Sequence, residues 1–165
     1  MADTFIKIAS VTVGAGGASS IDFTSIPSTY TDLCLKFSGR CDTVDNINIT
    51  FNGSTTSYTT RYLYGSGSAA ASASASTQYV GATNASTYTA NAFGNAEIYI
   101  PNYAGSNNKS ISTDSVQETN VSTVYMVLDA ALWSNTAAIT SLSLAPSSGK
   151  YVQYSTATLY GIKNS

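Results

Sequence analysis

Apolar and polar residues alternate one by one in several stretches of this chain, a period of two that marks half-buried β-strands. Leu33, Leu35 and Phe37 alternate with Cys34, Lys36 and Ser38, and Ile47, Ile49 and Phe51 with Asn48, Thr50 and Asn52. The segment Glu97–Glu118 reads as strand, turn-rich loop and returning strand, with Ile98 and Ile100 on one face. Pro101 removes a ladder donor and so belongs at a strand end or on an edge. Asn102 to Asn108 is almost pure turn chemistry, and the alternation resumes through Ile111, Thr113 and Ser115.

Further strands fall at Phe5–Ile8, Val11–Val13, Ile21–Ile26, Tyr58–Tyr64, Ile139–Leu144 and Tyr151–Ile162. They are separated by Gly14-Ala-Gly-Gly, Pro27, the polar stretch Asp42–Asn46 and the tight-turn pair Asn52-Gly53. Val121 to Trp133 has apolar residues at helical spacing but also Thr123, Val124, Tyr125 and Val127, all strand formers. Without an acidic cap or closing glycine it reads as a long strand buried on both faces. Gly65–Thr77, GSGSAAASASAST, offers only small residues, which points to a mobile loop or, failing that, a short alanine-supported helix. Gln78 to Asn95 is weakly determined, with Tyr79, Val80, Tyr88 and Phe93 as its only anchors. The expected fold is all-β: an antiparallel β-sandwich, jelly-roll-like, of about nine or ten strands. It forms a single domain over residues 1–165, with an N-terminal arm at 1–18 and a flexible insertion at 65–78. A chain of this size buries roughly 70% of its unfolded surface.

Charged residues make up 10% of the chain and the net charge is −2, with no basic run. That balance lacks the electrostatic footprint of a DNA- or RNA-binding protein. No apolar run approaches the roughly 18 residues that span a bilayer, and MADTFIKIAS is not a secretory leader. The Asn-x-Ser/Thr triplets at Asn48, Asn52, Asn84, Asn108 and Asn120 are then chance products of an Asn-, Ser- and Thr-rich chain. Cys34 and Cys41 are too few for a disulfide framework. On one extended strand they would lie about 23 Å apart, so they read as free thiols.

The chain has no histidine, which excludes histidine-dependent triads and histidine metal sites. Glu97 and Glu118 are its only glutamates and could pair across the hairpin as glycosidase carboxylates, though two solvated strand-end charges explain them as well. Asp42, Asp45 and Asn46 could supply calcium oxygens, but their spacing suits an Asx-stabilised turn better. Asp129, in an apolar run, should be satisfied by neighbouring hydroxyls or amides. Gly14, Gly16 and Gly17 precede no strand–helix unit, so they do not form a phosphate loop. Neither cofactor nor metal is expected. The twelve tyrosines and Trp133 belong either to core and interface or to a sugar-stacking platform beside Asn and Ser side chains.

Four segments carry a resemblance: Ser19–Arg40 (SSIDFTSIPSTYTDLCLKFSGR), Ile49–Tyr58 (ITFNGSTTSY), Ile98–Glu118 (IYIPNYAGSNNKSISTDSVQE) and Leu132–Ser165. The last ends in Ser-Thr-Ala-Thr-Leu-Tyr-Gly-Ile (Ser155–Ile162), the most specific piece. Together they resemble a family of small β-rich virion proteins encoded by tailed bacteriophages, notably of aquatic bacteria. The resemblance implies a structural component of the particle, on capsid or tail, and no catalytic residues. The expectation is a capsid decoration (cement) protein on the virion exterior, a homotrimer bound to the major capsid protein, with no nucleic-acid or membrane partner. The alternative is a tail-fibre or receptor-binding module that recognises host glycans through its tyrosines. Partner contacts are expected at Phe5, Ile6 and Ile8, within a segment Met1–Ile8 that would pair with a neighbouring chain, and at Tyr99 and Tyr103.

Overall fold

The computed structural model describes residues 4–43, 46–120 and 124–163. Among them lie twelve strands and no helix. These are β1 (Phe5–Thr12), β2 (Ile21–Phe23), β3 (Asp32–Gly39), β4 (Asn46–Phe51), β5 (Tyr58–Gly65) and β6 (Ala70–Ala75). Then follow β7 (Tyr79–Ala82), β8 (Gly94–Ile100), β9 (Lys109–Val116), β10 (Met126–Trp133), β11 (Leu142–Pro146) and β12 (Thr156–Ile162). An eight-stranded sheet has the order β1-β12-β3-β8-β9-β10-β5-β6, and a four-stranded sheet the order β2-β11-β4-β7. All strand pairs are antiparallel. The chain is an all-β sandwich, as the alternation predicts.

The alternating apolar residues meet between the sheets. Leu33, Leu35, Ile98, Ile100 and Leu159 of the large sheet and Ile21, Ile47, Ile49, Phe51 and Leu144 of the small one are buried together. Trp133 joins this core, its ring 5.5 Å from Phe51 and stacked 6.2 Å from Tyr58. Cys34 and Cys41 are both buried, and no disulfide is present among the described residues. The closing Ser155–Ile162 segment becomes β12, held between β1 and β3.

Three expectations change. Residues 5–12 do not form a projecting arm, because β1 pairs with β12 from Phe5↔Ile162 to Thr12↔Thr156. Met1 to Asp3 of the expected pairing segment lie outside the described residues. The insertion at 65–78 contains β6, which pairs along β5 from Thr60↔Ala75 to Gly65↔Ala70. Its residues alternate between exposed and half-buried, a period that small Ala and Ser side chains hide from a hydropathy reading. Finally, β10 is buried on one face only: Val127, Asp129, Ala131 and Trp133 point inward, while Met126 and Leu128 face out. Val121 and Thr123 of that stretch lie outside the described residues.

Gly161 shows how tightly the large sheet is covered. A Cβ there would sit 2.3 Å from the base of the Tyr30 ring, which cannot swing away without leaving its packing. Gly161→Ala is therefore expected to cost about 1–3 kcal/mol in urea unfolding, while a loss below about 0.3 kcal/mol would show that Tyr30 yields freely.

Candidate functional site

A four-stranded sheet cannot cover an eight-stranded one. The edge strand β7 of the small sheet packs over β8, β9 and β10 and reaches β5 only at its margin, where Tyr79 meets Thr60 and Tyr62. The inner face of β5 and β6 extends beyond that roof, and an open cleft of about 920 Å³ lies along the margin. Its walls differ in chemistry. The large sheet contributes Tyr62 and Tyr64 from β5 and Tyr125, which leads into β10. The small sheet and its connections contribute Asn46 and Asn48 from β4, Gln78, and Tyr79 from β7. Among the described residues, no charged side chain lines the cleft.

The tyrosines form a chain of tilted rings. Tyr79 and Tyr62 are 5.0 Å apart between centroids, Tyr62 and Tyr64 6.0 Å, and Tyr64 meets Tyr125 edge-on at 5.7 Å. All are half-buried, so the rings are fixed by one another yet reachable from solvent. Among the described residues, the side-chain amides of Asn46, Asn48 and Gln78 make no hydrogen bond. Ala75 of β6 lies in the same cleft, where a larger side chain would fill it.

Arg40 fixes the end of the cleft. The side chain is buried, and its guanidinium donates to the carbonyl oxygens of Thr89 (2.7 Å), Ala92 (3.1 Å), Ser86 (3.1 Å) and Tyr88 (3.2 Å). The planar fork of an arginine suits four acceptors in one loop. The same loop brings Thr87 and Tyr88 to the cleft. A lone Arg in a polar stretch gives no sign of this in the sequence.

Asp129 points inward from β10 beside Gly81 of β7, opposite Tyr62 on β5 and Thr113 on β9. It is buried, and neither carboxylate oxygen has a hydrogen-bond partner among the described residues. The expected hydroxyl or amide partners are therefore not in place. Desolvation raises its pKa from 3.8 to about 7.

The other expected site residues are scattered. Tyr103 is 0% exposed and its hydroxyl donates to the Pro27 carbonyl, so it is a core plug and not a partner contact. The half-buried Tyr99 donates its hydroxyl to Asp32 at 2.6 Å, which with burial pushes its pKa up to about 12. Asp32 also accepts the Asn102 amide at 2.8 Å, and the buried Lys109 ammonium donates to the Gly105 and Asn107 carbonyls. The loop after β8 is thus held from three sides. On β1, Phe5 is exposed and edge-on to Tyr160 at 6.1 Å, while Ile6 and Ile8 are half-buried.

Glu97 faces Asp114 and pairs with Lys36, whereas Glu118 accepts the Asn120 amide, so the two glutamates serve separate contacts. Asp42 accepts the Lys150 amide at 2.8 Å, and Asp45 lies outside the described residues. Gly14 and Gly17 close a turn, with a bond of 3.0 Å from the Gly17 amide to the Gly14 carbonyl. No protein-family model, curated protein or solved structure gives a significant match to this chain.

Two outcomes test this site. Arg40→Lys leaves a single ammonium for four carbonyls and is expected to cost about 1–3 kcal/mol, with faster amide exchange over residues 86–92; unchanged exchange there would contradict the clamp. Asp129 has the opposite sign to an ion-paired carboxylate. Between about pH 4 and 7 the folded chain holds a proton that the unfolded chain has released, so its contribution to stability grows as pH falls through 7. The full difference is at most roughly 4 kcal/mol. Asp129→Asn should therefore gain most over the wild type above pH 7 and lose that advantage toward pH 4. A difference independent of pH would show that Asp129 is solvated.

Proposed function

We propose that this chain is a structural protein of a bacteriophage particle: a decoration protein that binds the exterior of the shell formed by the major capsid protein. It acts by attachment, not catalysis, and assembles as a homotrimer. The resemblance of the four sequence segments supports the particle. The observation that supports attachment is on the outer face of the large sheet. Leu63 (53% exposed), Met126 (67%) and Leu128 (57%) lie side by side there, with Leu63 directly opposite Leu128 across β5 and β10. Nothing in the core needs these side chains outside, and contiguous exposed apolar groups mark contact surfaces.

The remaining outer face suits dense packing on a shell. Lys36 and Glu97 offset each other there, and the neighbouring positions on β9 are Ser110, Ser112 and Asp114. A surface with so little net charge adds little repulsion between closely spaced copies. A pair of half-exposed ions contributes only ~0–1 kcal/mol to the fold itself. The exposed margins of the large sheet, β1 and β6, are the places where further strands can add.

Purified protein is expected to bind particles that lack it, saturate at a fixed number per shell, and protect them against heat or low salt. Leu128→Asp should lower that binding by about tenfold or more, while leaving the thermal midpoint of the free protein within about 2 °C. Soluble protein that blocks adsorption to host cells and ignores bare shells would overturn the decoration reading in favour of a receptor-binding module.

A further inference from the structure

We infer that the tyrosine cleft at the margin of the sandwich is a binding site for a neutral oligosaccharide. A pyranose ring has an apolar C–H face and a rim of hydroxyls that both donate and accept hydrogen bonds. The cleft presents the complement of each on facing walls. Tyr62, Tyr64 and Tyr125 form an aromatic surface on the large sheet, and Asn46, Asn48 and Gln78 face it from the small-sheet side with unengaged amides. Its volume of about 920 Å³ accommodates more than one sugar ring.

Charge narrows the ligand class. Among the described residues no lysine or arginine lines the cleft, so a phosphate, sulfate or carboxylate would enter without a counter-ion. Single-stranded nucleic acid would find rings on which to stack, but no cation for its backbone. A proline-rich peptide is the closest competitor, because tyrosine grooves also bind polyproline helices. Proline has no amide N–H, however, and such a peptide offers few donors to the Asn and Gln carbonyls of the opposing wall. A sugar can satisfy both the oxygens and the nitrogens of those amides.

The site is also built rather than incidental. The aromatic wall is held by ring-to-ring contact, and the Arg40 clamp fixes the loop that carries Tyr88. Small side chains on β6 keep the floor low, with Ala75 at the cleft itself. Preorganised walls lower the entropy lost on binding. The inference does not depend on where in a particle the protein sits, since it uses only the cleft.

The test is a glycan array carrying neutral and acidic glycans, followed by NMR titration of the full chain with maltotriose, cellotriose and a trimer of N-acetylglucosamine. A neutral glycan is expected to bind with millimolar or tighter affinity. Tyr62→Ala and Ala75→Phe should each weaken it by about tenfold, the first by removing a stacking face and the second by filling the cleft. Tyr62→Phe, which keeps the ring, should stay within about threefold. Thermal midpoints of the three variants separate lost binding from lost fold, and Leu128→Asp should bind sugar like the wild type. The inference fails if no neutral glycan binds on the array or in titration to about 10 mM. It also fails if only acidic glycans bind, if folded Tyr62→Ala and Ala75→Phe bind unchanged, or if a proline-rich decapeptide binds while every sugar is ignored. A wild-type chain that binds sugar but does not attach to bare shells would count against the decoration reading alone.

Discussion

The unequal width of the two sheets governs most of what this molecule can do. Eight strands face four, and burial of a flat apolar face requires a partner of equal breadth. Where the small sheet lies, the large one carries Leu35, Ile98 and Leu159 inward and forms a dry core. Beyond the roof of β7, the inward positions of β5 and β6 change character to Tyr62, Tyr64 and alanine. Tyrosine tolerates that margin because its ring packs while its hydroxyl stays wet. A core composition continued to the end of the sheet would have exposed aliphatic surface. The cleft is therefore a consequence of the architecture, shaped by the residues placed at its edge.

The connections are stiffened by polar side chains, the buried Arg40 and Lys109 and the exposed Asn52, that grip backbone carbonyls and amides. Arg40 binds the 86–92 loop through four carbonyls, Lys109 binds its own loop through two, and Asn52 accepts the Thr140 and Ser141 amides while donating to Ala138. Such bonds matter because a buried carbonyl or amide left alone costs about 1–3 kcal/mol. They contrast with the Lys36–Glu97 pair, where both partners are half-exposed and remain solvated. Burial lowers the pKa of Lys109, yet its two carbonyl acceptors favour the ammonium form. Asp129 is the exception to this economy of partners. Its carboxyl sits where Gly81 passes close by, at φ +119°, and a Cβ on that glycine would come within 2.6 Å of Ser115 Oγ.

The strands that pair large aliphatic residues with polar ones were legible, since their alternation directly encodes which face meets the other sheet. β6 was not, because Ala71, Ala73 and Ala75 alternate with equally small residues and burial there is decided by β5, not by hydropathy. β10 misled for the converse reason: apolar Met126 and Leu128 on its outer face look like a second buried face. Tyr103 sits in a turn-rich loop, which suggests exposure, but its ring closes the end of the core. Of the cleft, the residue types were readable and their meeting was not. Tyr62, Tyr79 and Tyr125 come from three separated segments, and only the order β10-β5-β6 beneath the edge of β7 brings them together.

One strand pair connects the two proposed surfaces. In β5, Tyr62 and Tyr64 point into the cleft and Leu63, between them, points out; in β10, Val127 points in while Met126 and Leu128 point out. Alternate residues of the same strands thus build opposite faces of one sheet, about one side-chain layer apart on either side of the backbone. A register slip of one residue would exchange the two sets, placing leucine in the cleft and tyrosine on the outer face. The eight consecutive pairs from Met126↔Gly65 to Trp133↔Tyr58, anchored by the buried Trp133 and Tyr58, oppose such a slip. Because the faces are opposite, a partner docked on Leu63 and Leu128 leaves the cleft open. Attachment on one side and sugar binding on the other are then compatible in a single copy.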